Sequence, residues 1–142
     1  MADQPAPAGA TPSAIEAAPR LPRAEELRQI LGELGRLDGV RGGIIVTPDG
    51  LVITAVLPPG VAAEALAALA ATLGRELERG TAELAHGAFA SAFFSADDGT
   101  IFIGKCPVGF VILVGGLSAR PAEVGPALRA ALARLHGTWR AA

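Results

Sequence analysis

Cysteine is almost missing from this 142-residue chain, which holds only one, so no intrachain disulfide framework can staple the fold. A lone thiol fits a reducing compartment, and a cytoplasmic setting is expected. Excess positive charge is missing as well. Twelve Lys+Arg against 14 Asp+Glu leave a formal net charge of -2, which offers no electrostatic footprint for nucleic acid or an anionic membrane surface. No stretch reaches about 18 apolar residues without a charge or a Gly/Pro break, so no membrane span is expected. The start also lacks a basic segment followed by an apolar run, which argues against a secretory signal. His86, Cys106 and His136 do not fall at metal-ligand spacing, and neither metal nor cofactor is expected.

What the chain does have is apolar patterning sufficient for one core. Its length suits a single domain that buries roughly two thirds of its unfolded surface. Residues 1–22 carry Pro5, Pro7, Pro12, Pro19 and Pro22 without a periodic apolar face. They read as a disordered or extended Pro/Ala-rich tail, with the domain occupying residues 23–142. Leu27, Ile30, Leu31, Leu34 and Leu37 then recur at helical spacing, and Asp38-Gly39 supplies the stop. Two short strands, residues 40–47 and 51–56, flank Pro48-Asp49-Gly50 and read as a hairpin. Pro58-Pro59-Gly60 closes the second strand, and a helix is expected over residues 61–79.

Residues 84–95 read as a long third strand carrying Phe89, Phe93 and Phe94. Asp97-Asp98-Gly99 marks the next turn, followed by strands over residues 100–105 and 108–115. The last of these is apolar at both parities, so both of its faces should be covered, which makes it central. A final helix uses Leu128, Ala131, Leu132, Leu135 and Trp139, with Pro121 and Pro126 tolerable only near its start or at a kink. The order is α-β-β-α-β-β-β-α.

The middle helix carries three faces. By the 100° helical step, Leu66, Leu69, Leu73 and Leu77 fall within about 80° of arc, a bulky ridge suited to covering a sheet. Ala63, Ala67, Ala70 and Gly74 form a neighbouring strip with almost no side-chain bulk, open to a second helix. Glu64, Arg75, Glu78 and Arg79 gather on the remaining side, where a mixed-charge run is ordinarily a solvated face. Compositional bias towards alanine accounts for the same strip without any partner.

Reactive side chains are scattered. Gly99-Thr100-Ile101-Phe102-Ile103-Gly104-Lys105-Cys106 nearly spells a phosphate loop, but Thr100 to Ile103 is strand-like and Pro107 leads into another strand. A phosphate loop needs a helix N-terminus there. Lys105 instead reads as an exposed charge that discourages edge pairing. Cys106 reads as a small buried side chain, and Ser91, Ser95 and Ser118 lack a nucleophile-elbow pattern. Asp97-Asp98-Gly99 lacks the remaining spacing of a calcium loop. No catalytic residue is expected, and the protein reads as a non-enzyme.

The opening helix, the hairpin from Val40 to Ile53, the Ala/Leu middle helix, the Asp98-Gly99 hairpin and Gly125 near the last helix start together resemble the Roadblock family. That family includes dynein light chains and prokaryotic relatives, and the likeness is to the prokaryotic type over residues 23–137. It departs in the Pro/Ala tail, in Pro126 directly after Gly125 and in the Ala/Phe-rich third strand. The resemblance implies an α+β fold: a five-stranded antiparallel sheet with the first and last helices on one face and the middle helix on the other, a profilin-like α/β/α sandwich.

It also implies a homodimer that sets two middle helices side by side and joins two third strands. Ala63, Ala67, Ala70, Gly74, Phe89 and Phe93 would then form the dimer interface, and Ala67→Glu or Gly74→Glu should give monomer. A small Ras-like GTPase would dock on the paired helices, with Glu64, Arg75, Glu78 and Arg79 as its exposed contacts. The implied role is a non-catalytic scaffold or signalling regulator that modulates GTP hydrolysis, although no motif positions Arg75 or Arg79 as an arginine finger. The alternative is a ligand-sensing module with a small-molecule pocket lined by the apolar third and fifth strands.

Overall fold

A computed structural model describes residues 20–141. Its elements are α1 (Arg20–Gly35), β1 (Val40–Val46), β2 (Val52–Val56), α2 (Ala63–Glu83), β3 (Ser91–Ala96), β4 (Gly99–Cys106), β5 (Gly109–Gly115) and α3 (Pro121–Ala141). The expected order is the observed one. All five strands join one antiparallel sheet in the order β2-β1-β5-β4-β3, so the doubly apolar β5 is central.

Alternation along β5 builds two cores. Val111 and Leu113 point to a layer made by Leu27, Leu31 and Leu34 of α1 with Val124, Leu128 and Leu135 of α3. Phe110 and Ile112 point the other way, to Leu66, Ala67 and Ala70 of α2. Two helices therefore cover one face and a single helix the other, as the family resemblance implies. Glu33 of α1 and Arg134 of α3 form an ion pair at 2.7 Å, and Arg23 lies 4.7 Å from the Trp139 ring centroid, so α1 and α3 are also joined at their exposed rims.

Several local expectations give way. The first helix starts at Arg20 instead of residue 23, because Pro22 sits in its first turn, where a missing N–H breaks no helical bond. The rest of the expected tail, residues 1–19, lies outside the described residues. The third strand begins at Ser91 and not at residue 84. Leu84 still donates to Gly80 as the helix ends, His86 donates to the Thr81 carbonyl at 2.9 Å, and Ala85 and Gly87 take φ of 59° and 86°. Two left-handed residues so close together turn the chain and cannot continue a strand. Phe89 consequently leaves the strand and folds into the α2-side core, 6% exposed. Lys105 is not an edge charge, since β4 is paired on both sides; its ammonium meets Glu78 at 2.8 Å and lies 5.1 Å from the Phe110 ring centroid.

The main correction concerns α2. Its small-residue strip faces the sheet: Ala67 is 1% exposed, Ala70 0%, and Gly74 is buried, whereas Leu69 is 45% exposed and Leu73 and Leu77 are half-buried. Ala67, Ala70 and Gly74 are therefore occupied inside the protomer, against its own sheet. Ala63 is half-buried beside them. Phe110 supplies the reason. Its ring rises so far from the sheet that a Cβ at Gly74 would lie 2.5 Å from it, so only a helix face without bulk can settle there.

Gly74→Ala should for this reason destabilise the protein. Helix propensity favours Ala by about 1 kcal/mol, but forcing a methyl against a fully buried ring costs about 1–3 kcal/mol. The clash already relaxes only by moving Phe110 or the helix, so a net loss is expected in urea denaturation. Ala67→Glu and Gly74→Glu should unfold the protomer outright.

Candidate interaction surface

Both outer strands have one side without a partner among the described residues and expose apolar side chains, β2 through Val52 and Val56 and β3 through Phe93 and Phe94; only β3 carries aromatic rings. β3 pairs with β4 from Ser91↔Gly104 to Ala96↔Gly99, and its other side has no partner among the described residues. Lys105 N–H donates to the Ala90 carbonyl at 2.9 Å, which fixes the phase of the ladder. By antiparallel alternation Ala92, Phe94 and Ala96 turn their backbone groups to β4, while Ser91, Phe93 and Ser95 present N–H and C=O outward.

Side chains follow the same alternation across the two faces. Phe93 stands opposite Phe102, with ring centroids 6.1 Å apart, on the face of α1 and α3. Phe94 stands opposite Ile101 on the face of α2. They are 52% and 40% exposed. The α2 helix packs over β1, β5, β2 and β4 without comparable contact with β3, which explains why Phe94 stays uncovered.

The flanks of α2 are identified by what touches them. Ala67 and Ala71 approach Gly50 in the β1–β2 turn, and the Arg75 guanidinium donates to the Pro48 carbonyl of that turn. The turn itself is held by Thr47, whose hydroxyl hydrogen-bonds Asp49 at 2.6 Å and accepts the Leu51 N–H at 3.0 Å. That hydroxyl, before the more distant Arg75, holds the Asp49 carboxyl below its ordinary pKa. Leu69 and Leu73 lie on the opposite flank by the helical step, towards the β3 side. Leu69 and Phe94 are both exposed, and both lie on the α2 face of the molecule.

Of the residues expected at the dimer interface, only Phe93 is free on this edge; Ala67, Ala70, Gly74 and Phe89 are buried within the chain. Leu69 and Phe94, which the sequence reading did not place at a contact surface, are exposed apolar residues. The expected GTPase contacts are mostly engaged already: Arg75 with the Pro48 carbonyl, Glu78 with Lys105, and Arg79 with Glu76 and Glu83. Glu76 first, then Glu83, raises the Arg79 pKa, and Arg79 in turn lowers that of Glu76. Glu64 is exposed near the helix start.

Chemistry elsewhere is sparse. No group of three or more His, Cys, Asp or Glu that could hold a metal occurs among the described residues. The near phosphate loop is simply β4. Cys106 is fully buried, and desolvation pushes its thiol above the ordinary range. The pocket expected along the third and fifth strands has no room at β5, where residues 110–113 are fully buried by helices on both faces. No helix of the described residues is long and apolar enough to cross a membrane.

A five-stranded antiparallel sheet in the order β2-β1-β5-β4-β3, held between two helices and one, defines an α/β/α sandwich. The chain belongs to the Roadblock/LC7 domain family, whose model matches residues 26–115. It is 30% identical over 86 residues to the uncharacterized protein MJ0714 of Methanocaldococcus jannaschii, an alignment that covers 61% of this chain and 73% of that one. Its fold is similar to that of Myxococcus xanthus MglB, with a TM-score of 0.74 at 11% identity over 83% of this chain and 90% of the other. A second structure, MglB with tetrameric arrangement, gives a TM-score of 0.69 at 18% identity over 79% and 86%.

The buried thiol yields a direct check. Iodoacetamide should leave Cys106 unmodified in the folded protein at neutral pH and alkylate it fully once denaturant is added, as read by intact mass.

Proposed function

We propose that this protein is a homodimeric, non-catalytic scaffold or regulator of a small Ras-like GTPase, working in the cytoplasm and modulating GTP hydrolysis by its partner. Membership in the Roadblock/LC7 family and the MglB-like fold support the role. The self-association recorded for MglB in a tetrameric arrangement supports assembly. The observation that carries the reading is the uncovered β3 edge, with outward backbone groups and two exposed phenylalanines.

A bare apolar edge invites pairing with any exposed strand, and natural proteins cover such edges. A second copy covers this one most simply. Antiparallel β3–β3 pairing continues the sheet across both protomers, and it brings the Leu69–Leu73 flanks of the two α2 helices together over Phe94. The contact thus uses the leucine flank, with Ala65 and Thr72 at its outer border, in place of the buried alanine strip. The paired helices then offer Glu64, Arg75, Glu78 and Arg79 outward as a broad polar platform. On this reading hydrolysis is left to the GTPase, and regulation acts by holding its conformation.

Sedimentation and pull-down test the two halves. Phe94→Asp should give a folded monomer, with the circular dichroism of the parent, because it places a charge in an apolar contact between copies. Immobilised parent protein should retain a Ras-like GTPase from the same cell in one nucleotide state more than in the other. A parent that sediments as a monomer at tens of micromolar, or equal retention of no GTPase in either state, would remove the respective half.

A further inference from the structure

In β3, Ser91-Ala92-Phe93-Phe94-Ser95-Ala96, two phenylalanines lie between pairs of small residues in either reading direction, so side-chain size alone specifies its self-pairing register weakly. Something else must set it. Residues directly opposite in an antiparallel pair share a face, which requires the dyad to pass through a residue and not between two. With Phe93 on the dyad, Asp97 of the partner subunit falls opposite Phe89; with Phe94 on the dyad it falls opposite Ser91. Asp97 and Asp98 form the turn that follows Ala96, so antiparallel pairing of two β3 strands carries this acidic turn of one copy to the β3 entry of the other.

At that end of β3 lies an open hollow of about 480 Å³ between the strand entry at Ala88 to Ala90 and the α3 side chains Arg129, Leu132 and His136. Leu132 gives it an apolar floor. The His136 Nε2 is 3.2 Å from the Lys105 carbonyl, so it donates there. Arg129 is exposed and has no carboxylate within ion-pair range among the described residues. Asp97 and Asp98, at the opposite end of the strand, are likewise exposed and form no such pair. Lys105 borders the hollow, but its ammonium is already joined to Glu78 on the α2 face.

We infer that the acidic turn at Asp97-Asp98 of one copy docks in the hollow beside Arg129 of the other, twice per dimer, and that this contact disfavours the β3 register slipped onto Ser95. A paired strand would lie about 4.8 Å from β3, which brings its terminal turn to the strand entry that borders the hollow. A slip that puts Ser95 on the dyad moves Asp97 of the partner subunit opposite Phe93 and leaves both charges unpaired. The contact is therefore a device for specificity more than for affinity. It rests on the dimer proposed above.

Charge exchange between copies tests it. Arg129→Glu and Asp97→Arg, both at exposed positions, should each weaken the dimer at least about tenfold at low salt, with unchanged circular dichroism. Mixing the two variants in equal amounts should restore a heterodimer, because one contact is then native and the other merely reversed. Salt should narrow the difference between parent and variants. If the parent is dimeric and neither variant nor mixture differs from it, the docking contact is wrong and the dimer stands. If the parent is monomeric, the dimer reading has failed and this contact with it.

Discussion

The fit of the Phe110 ring beneath a helix face with no bulk fixes almost everything else in this molecule. Phe110 stands on the central strand and is fully buried, and Ala67, Ala70 and Gly74 are the side chains that let α2 come down over it. Large on one layer demands small on the other. Once that contact is made, the rotation of α2 about its axis is set. Its Ala71–Arg75 flank goes to the β1–β2 turn, and the Leu69–Leu73 flank is left facing the bare side of the sheet.

That rotation turns a structural detail into a surface. A helix seated on its leucine ridge would have buried Leu69 and opened a smooth alanine groove. Seated as it is, it leaves Leu69 half-exposed on the same face as Phe94, with Phe93 open on the other face and the outward N–H and C=O groups of β3 between the two phenylalanines. Apolar side chains above and below an unpaired backbone edge are what a continuing strand would cover. The polar end groups of that strand, Asp97 at one end and Arg129 beside the other, give the edge a direction.

Most of the architecture was legible in the sequence, because it rests on features with short-range causes. Pro48-Asp49-Gly50 and Asp97-Asp98-Gly99 mark turns by their own backbone preferences, and the two-sided apolar run of β5 could only lie between helices. Two things were not legible. Periodicity gives the angle between the faces of α2 but not which face points inward; that depends on Phe110, 36 positions from Gly74 in sequence, and on how far its ring projects. The early part of the third strand looked extended by composition, yet Ala85 takes a left-handed conformation that alanine rarely adopts and that no propensity announces. Phe89 was misplaced with it, and Phe94 was overlooked because alternation cannot reveal that α2 stops short of β3.

The central claim is that the β3 edge is satisfied by a second copy, and amide exchange reads those backbone groups directly. Site-resolved hydrogen–deuterium exchange should find the amides of Ser91, Phe93 and Ser95 protected, with protection rising as protein concentration rises. If these three amides exchange as fast as free peptide at every concentration, while Ala92 and Phe94 remain protected by β4, the edge is open to water and the account is contradicted.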